Sequence, residues 1–169
     1  VVRILDLGSG PGPASVAVID SLLQNNNALT FEVTLVDSSS KALSVAQKVI
    51  STQEKVASVK TTVCDFEKEA VEKMIASEEH FDIIVMSHAL NELWKKELVV
   101  GDEVSSSVIK KRMLFLKQVL SHLTSEGMAL VCEPALLTTS RALIAVRDLL
   151  VDEGYTVFAP CPFYAMNNK

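Results

Sequence analysis

Short apolar runs rich in β-branched residues alternate along the chain with segments whose apolar positions recur every three or four residues. Val1 to Leu7 reads as a buried strand ending at a glycine cluster. Pro13 to Gln24 reads as a helix: Pro13 suits the first helical position, Val16, Ile19, Leu22 and Leu23 fall at helical spacing, and Asn25-Asn26-Asn27 breaks the pattern. Phe31 to Val36 is a second strand. Ser38-Ser39-Ser40 then supplies cap candidates for a helix over Lys41 to Thr52 with an apolar face of Ala42, Val45, Ala46 and Val49. The pattern predicts a third strand over Ser58 to Cys64, a helix over Glu67 to Ser77 and a fourth strand over Phe81 to Met86. An apolar-basic piece, Leu90 to Val100, leads to a break at Gly101-Asp102. Ser106 and Ser107 cap a predicted long helix to Leu123, facing Leu116, Val119, Leu120 and Leu123 inward, with Gly127 as its stop. A fifth strand over Met128 to Cys132, a helix over Thr139 to Glu153 and a sixth strand over Tyr155 to Ala159 complete the series.

Strands alternating with helices in this way predict an α/β fold, a doubly wound, mostly parallel sheet covered on both faces. Continuous apolar strands are what burial on both faces demands. In such a sheet a ligand lies beyond the carboxyl ends of the strands, where strand order reverses. With 169 residues the chain is expected to form a single domain over 1–169. Its opening at Val1, already inside a strand and without Met, suggests a fragment of a longer protein.

Composition narrows the class. A hydrophobic fraction of 49% argues against disorder. No apolar run approaches the roughly 18 residues of a membrane span. Three scattered cysteines make no disulfide framework, so a reducing intracellular compartment is expected. A net charge of −5 gives no global attraction to nucleic acid.

The chemistry is concentrated where strands end. The first strand closes Asp6-Leu7-Gly8-Ser9-Gly10-Pro11-Gly12. Alternate glycines allow a sharp turn and a close backbone approach to a ligand, and the helix opening at Pro13 aims free N–H groups at the same place. A dinucleotide site wants G-x-G-x-x-G, but Pro13 stands at the last glycine position. Asp37 closes the second strand; a carboxylate there can take both hydroxyls of a ribose or cap the following helix. Asp65 closes the third strand with the same choice of roles, and Phe66 follows it. Ser87 and His88 close the fourth. His88 is open to three readings: a base, a ring stacked on substrate, or a residue whose backbone alone matters. Glu133, after the fifth strand, is either a proton acceptor or a structural acid paired with a cation.

The Asp-x-Gly-x-Gly-x-Gly spacing resembles motif I of the class I methyltransferases, and the resemblance continues strand by strand. It implies S-adenosylmethionine as cofactor, held by Asp6, Gly8, Ser9, Gly10, Gly12, Asp37, Ser38, Asp65, Phe66, Ser87 and His88. In that scheme Asp65 meets the adenine amino group and Phe66 lies near the ring. Asp6 fixes the glycine turn, or a water beside the sulfonium. It also implies a seventh, antiparallel strand beyond Lys169. No Asn-Pro-Pro-aromatic run or Pro-Cys follows the fourth strand, so neither an exocyclic base amine nor a cytosine-type ring carbon is the indicated methyl acceptor.

Glu92-Leu93, Glu133-Pro134 and Ala159-Pro160-Cys161-Pro162 are similar to segments of a narrower group, the methyltransferase-like assembly factors of the mitochondrial small ribosomal subunit and their bacterial relatives. This implies action on or beside small-subunit ribosomal RNA, in a bacterial cytoplasm or a mitochondrial matrix. Some members of that group are regarded as assembly factors without transfer activity, and some bind an iron–sulfur cluster. Here Phe163 stands where a His is usual. A cluster needs about four thiolates, so Cys161 would be one ligand whose partners lie outside the fragment. Lys95-Lys96 and Lys110-Lys111-Arg112 are the candidates for RNA phosphate contacts. Three readings stand: a methyltransferase acting on ribosomal RNA, an assembly factor that binds the cofactor without turnover, and an NAD-dependent oxidoreductase.

Overall fold

A computed structural model describes residues 1–97 and 105–160. Five strands form one sheet, β1 (Val2–Leu7), β2 (Phe31–Asp37), β3 (Val56–Val63), β4 (Phe81–Ser87) and β5 (Leu123–Cys132), in the order β3-β2-β1-β4-β5. All neighbours are parallel. Four helices connect or flank them: α1 (Pro13–Asn25), α2 (Ser40–Ser51), α3 (Ser106–Leu120) and α4 (Leu137–Asp152). This is the expected doubly wound α/β arrangement. The chain runs outward from β1 through β2 to β3, then returns to lay β4 on the other side of β1, which places the switch point at the carboxyl ends of β1 and β4.

Two apolar layers sandwich the sheet. Leu5, Leu7 and Met86 face one layer, with Phe115, Leu116 and Val119 of α3 and Val146 of α4. Ile4, Val33, Leu35, Ile83 and Val85 face the other, against Ile19 of α1 and Ala46 and Ile50 of α2. Neighbouring positions on β1 thus serve opposite faces, as the period of two requires.

Several elements differ from the sequence expectation. Helix α2 buries Leu43, Ala46 and Ile50, leaving Val45 and Val49 exposed. Its phase is set by the approach of the glycine turn to Ala46 and Ile50, which outweighs the apolarity of the opposite stripe. Glu67 to Ser77 forms turns and one 3₁₀ turn at Val71–Lys73 in place of a helix. Asp65 starts a capped turn by accepting the N–H groups of Glu67, Lys68 and Glu69, but Ala70 is extended, so the helical ladder does not propagate. Helix α3 stops at Leu120, and β5 begins at Leu123. Gly127 therefore lies inside β5, beside the register shift against Phe81, where a Cβ would come within 3.0 Å of the Phe81 carbonyl. Tyr155 to Ala159 forms no strand; it has no ladder partner, and β5 ends the sheet among the described residues. Gly101-Asp102, Cys161, Pro162 and Phe163 lie outside the described residues. Among those described, no helix is long and apolar enough to cross a membrane.

Candidate functional site at the carboxyl edge of the sheet

The turn between β1 and α1 uses its glycines for separate reasons. All three have positive φ: 69° at Gly8, 52° at Gly10 and 88° at Gly12. A Cβ at Gly8 would lie 2.4 Å from the Cβ of Ala89, and one at Gly12 would lie 2.9 Å from Ile50 Cδ1. Those two glycines admit the segment after β4 and helix α2. At Gly10 the equivalent space is open, so this backbone is bare toward whatever occupies the crevice.

Asp37 ties the turn down. Its Oδ2 accepts the Gly10 N–H at 2.9 Å and its Oδ1 accepts the Ser39 N–H at 2.8 Å. The Gly8 and Ser9 N–H groups are taken by the Val36 carbonyl. Ser39 caps α2 by accepting from the Ala42 N–H, and Ser38 is exposed beside it.

Asp6 is fully buried beneath the turn. It does not bond the turn's N–H groups: its Oδ2 accepts the Ser15 hydroxyl at 2.6 Å, and its Oδ1 has no partner. Burial pushes its carboxyl up to about 6, against the opposing pull of Ser15, and the charge of Asp37 adds to the rise. The Ser9 hydroxyl is also buried without a partner. Two orphaned polar atoms beside a bare glycine backbone are unusual in a folded chain and suit a polar ligand with both donors and acceptors. These residues fit the nucleoside that the sequence reading assigns to them.

Asp65 is engaged locally. Its Oδ1 accepts the Glu67 N–H at 3.1 Å and its Oδ2 pairs with Lys68 Nζ at 2.6 Å. The Lys68 ammonium holds its carboxyl below the usual range. Phe66 lies beside Gly8 and packs on Phe115 with ring centroids 5.6 Å apart. Ser87 ends β4, and His88 sits in the left-handed region at φ 57° with its N–H donated to the Cys132 carbonyl. That uncommon backbone locks the start of the segment after β4 onto the end of β5.

Arg112 is not part of a surface patch. It is buried on α3, where Nε and Nη2 bind the Leu93 carbonyl and Nη2 also binds that of Asn91. Its place in the register Val108, Arg112, Phe115, Leu116, Val119 was the available signal. Lys95 pairs with Glu92 and Lys111 with Glu97, both at the solvent-exposed surface. Glu133 Oε1 accepts the Asn91 N–H at 3.2 Å, and burial raises its carboxyl. Ser15 and Asn91 went unread in the sequence; a serine one turn into a helix and an asparagine in a loop carry no distinctive pattern.

A family model for a methyltransferase domain matches residues 2–154. This chain belongs to the methyltransferase domain family. Solved structures agree in fold. A methyltransferase from Pyrococcus furiosus superposes with a TM-score of 0.59 at 15% identity, covering 92% of this chain and 66% of that one. The CurJ carbon methyltransferase gives 0.52 at 19% identity, covering 88% and 32%. The trans-methyltransferase CalH, in complex with SAH, gives 0.52 at 18%, covering 77% and 31%. This methyltransferase domain thus spans between about a third and two thirds of those chains. A search of curated proteins finds no match. The family assignment sets aside the oxidoreductase reading, in keeping with Pro13 at the first position of α1. Among the described residues no three His, Cys, Asp or Glu side chains gather to hold a metal; Cys64 is buried and Cys132 exposed.

Proposed function

We propose that this domain binds S-adenosylmethionine across the glycine turn and serves a methyltransferase acting on or beside small-subunit ribosomal RNA. The observation that carries the cofactor reading is the bond from the Gly10 N–H to Asp37, at a strand-to-helix junction where Asp6 Oδ1 and Ser9 Oγ are buried without partners. The cofactor supplies an electrophilic methyl group on a sulfonium. The chain's part is placement and a shielded approach. Each Asp37 oxygen accepts one N–H, which leaves lone pairs for ribose hydroxyls. Ionised Asp6 sets a negative charge beneath the turn, favourable to a sulfonium. Phe66 offers a ring face beside Gly8. Asp65, Ser87 and His88 stand at the carboxyl ends of β3 and β4, on the same edge of the sheet as the glycine turn. The RNA reading is supported by the sequence segments Glu92-Leu93, Glu133-Pro134 and Ala159-Pro160, and a role in assembly without turnover shares that support.

Calorimetry tests the cofactor. S-adenosylmethionine is expected to bind more tightly than NAD, and Asp37→Ala to weaken it about tenfold or more for a lost charge-assisted contact. Tighter NAD binding overturns the cofactor, and unchanged affinity in the variant removes Asp37 from the site. Methyl incorporation into small-subunit RNA by the full-length protein separates turnover from binding alone.

A further inference from the structure

Two carboxylates converge on the glycine turn, and among the described residues neither enters an ion pair. Asp6 is fully buried on β1, between Leu35 of β2 and Val85 of β4 in the ladder. The start of α1 offers it the Ser15 hydroxyl but no full charge, and the charged group that acts on it is another acid, Asp37. Asp37 in turn accepts only the Gly10 and Ser39 N–H groups. Asp65, by contrast, is paired with Lys68. A buried charge without a counter-charge is costly. With no exposed surface, Asp6 reaches a ligand only through its field, which the protein interior screens less than water does.

We propose that Asp6 is a specificity-determining residue that sorts fresh from spent cofactor by net charge, favouring S-adenosylmethionine over S-adenosylhomocysteine. The proposal rests on the cofactor reading above. The two ligands share the adenosine and the amino-acid end. A carboxylate acting without contact pulls weakly on the amino-acid end, whose ammonium and carboxylate cancel. It pulls strongly on a net charge. S-adenosylmethionine carries one, at sulfur, whereas S-adenosylhomocysteine, the thioether left once the methyl group is gone, is a neutral zwitterion. The ribose hydroxyls that Asp37 would take are common to both and do not tell them apart. Loss of the methyl group thus turns the favoured ligand into the disfavoured one, and fresh cofactor displaces it.

Calorimetry at neutral pH compares the full chain with Asp6→Asn, which keeps an acceptor for Ser15 and removes the charge. The probes are S-adenosylmethionine, S-adenosylhomocysteine and sinefungin, in which an amino group places a cation at the sulfur position. The substitution is expected to weaken S-adenosylmethionine and sinefungin about fivefold and to leave S-adenosylhomocysteine within about twofold. In the wild-type chain the preference for the two cations should shrink as pH falls below about 6, where Asp6 takes up its proton; this arm stands even if the variant does not fold. Equal weakening of all three ligands, weakening of none, weakening of S-adenosylmethionine without sinefungin, or a preference indifferent to that pH change each overturns the discrimination and leaves the cofactor reading standing. Failure of the wild-type chain to bind any of the three overturns the cofactor reading, and the discrimination falls with it.

Discussion

At the scale of single residues, Asp6 sets the proposed cofactor binding against stability. Its ordinary carboxyl range is near 3.8 and burial raises it to about 6. For an acid raised on folding, stability is lost as pH climbs between those values and stays lost above the upper one. Asp6→Asn, which keeps an acceptor for Ser15, is therefore expected to raise the melting temperature at pH 8, by an amount on the order of 3 kcal/mol at most. The gain should shrink as pH falls from 6 toward 4. The same variant should bind S-adenosylmethionine more weakly, and wild-type affinity for this cation should fall below pH 6 as Asp6 takes up its proton. Melting curves and calorimetry across that range check both signs. A variant that is less stable at pH 8 contradicts this account of Asp6.

At the scale of elements, the segment after β4 is positioned by a guanidinium from α3. Arg112→Met fills the volume but strips the Asn91 and Leu93 carbonyls of their donors. Each buried acceptor left unmade costs about 1–3 kcal/mol, so denaturant unfolding should show a loss of about 2–6 kcal/mol. The sequence made β1, β2, β4, α1 and the Asp-ended strand tips legible, because burial on both faces demands unbroken apolar runs and glycine announces the turn; β3 and β5, half-exposed edges among the described residues, carry weaker patterns. It misplaced what depends on tertiary contact. The phase of α2 follows from Gly12 meeting Ala46 and Ile50. The predicted helix after Asp65 is cut short where Ala70 turns extended. Arg112 read as part of a basic run, although its helical register already placed it among Val108, Phe115 and Val119.

At the scale of the whole molecule, β1 is flanked on both edges and covered on both faces, while β3 and β5 are the edges among the described residues. Native-state hydrogen exchange should find the slowest amides in β1, β2 and β4, approaching the global unfolding free energy, and faster exchange in Leu123–Thr124 near the register shift of β5. Slow exchange confined to the helices would contradict this ordering. The reversal of strand order beside β1 also divides the labour of the crevice. Gly10, Asp37 and Asp65 come from β1, β2 and β3, whereas His88, Asn91 and Glu133 follow β4 and β5. The proposed nucleotide grip and the loops after β4 and β5 thus descend from opposite wings of the sheet, which touch where Phe66 packs on Phe115 and Ala89 meets Gly8. A lineage, or an engineer, that rewrites the second wing must therefore keep a small residue at Ala89 and an aromatic partner for Phe66.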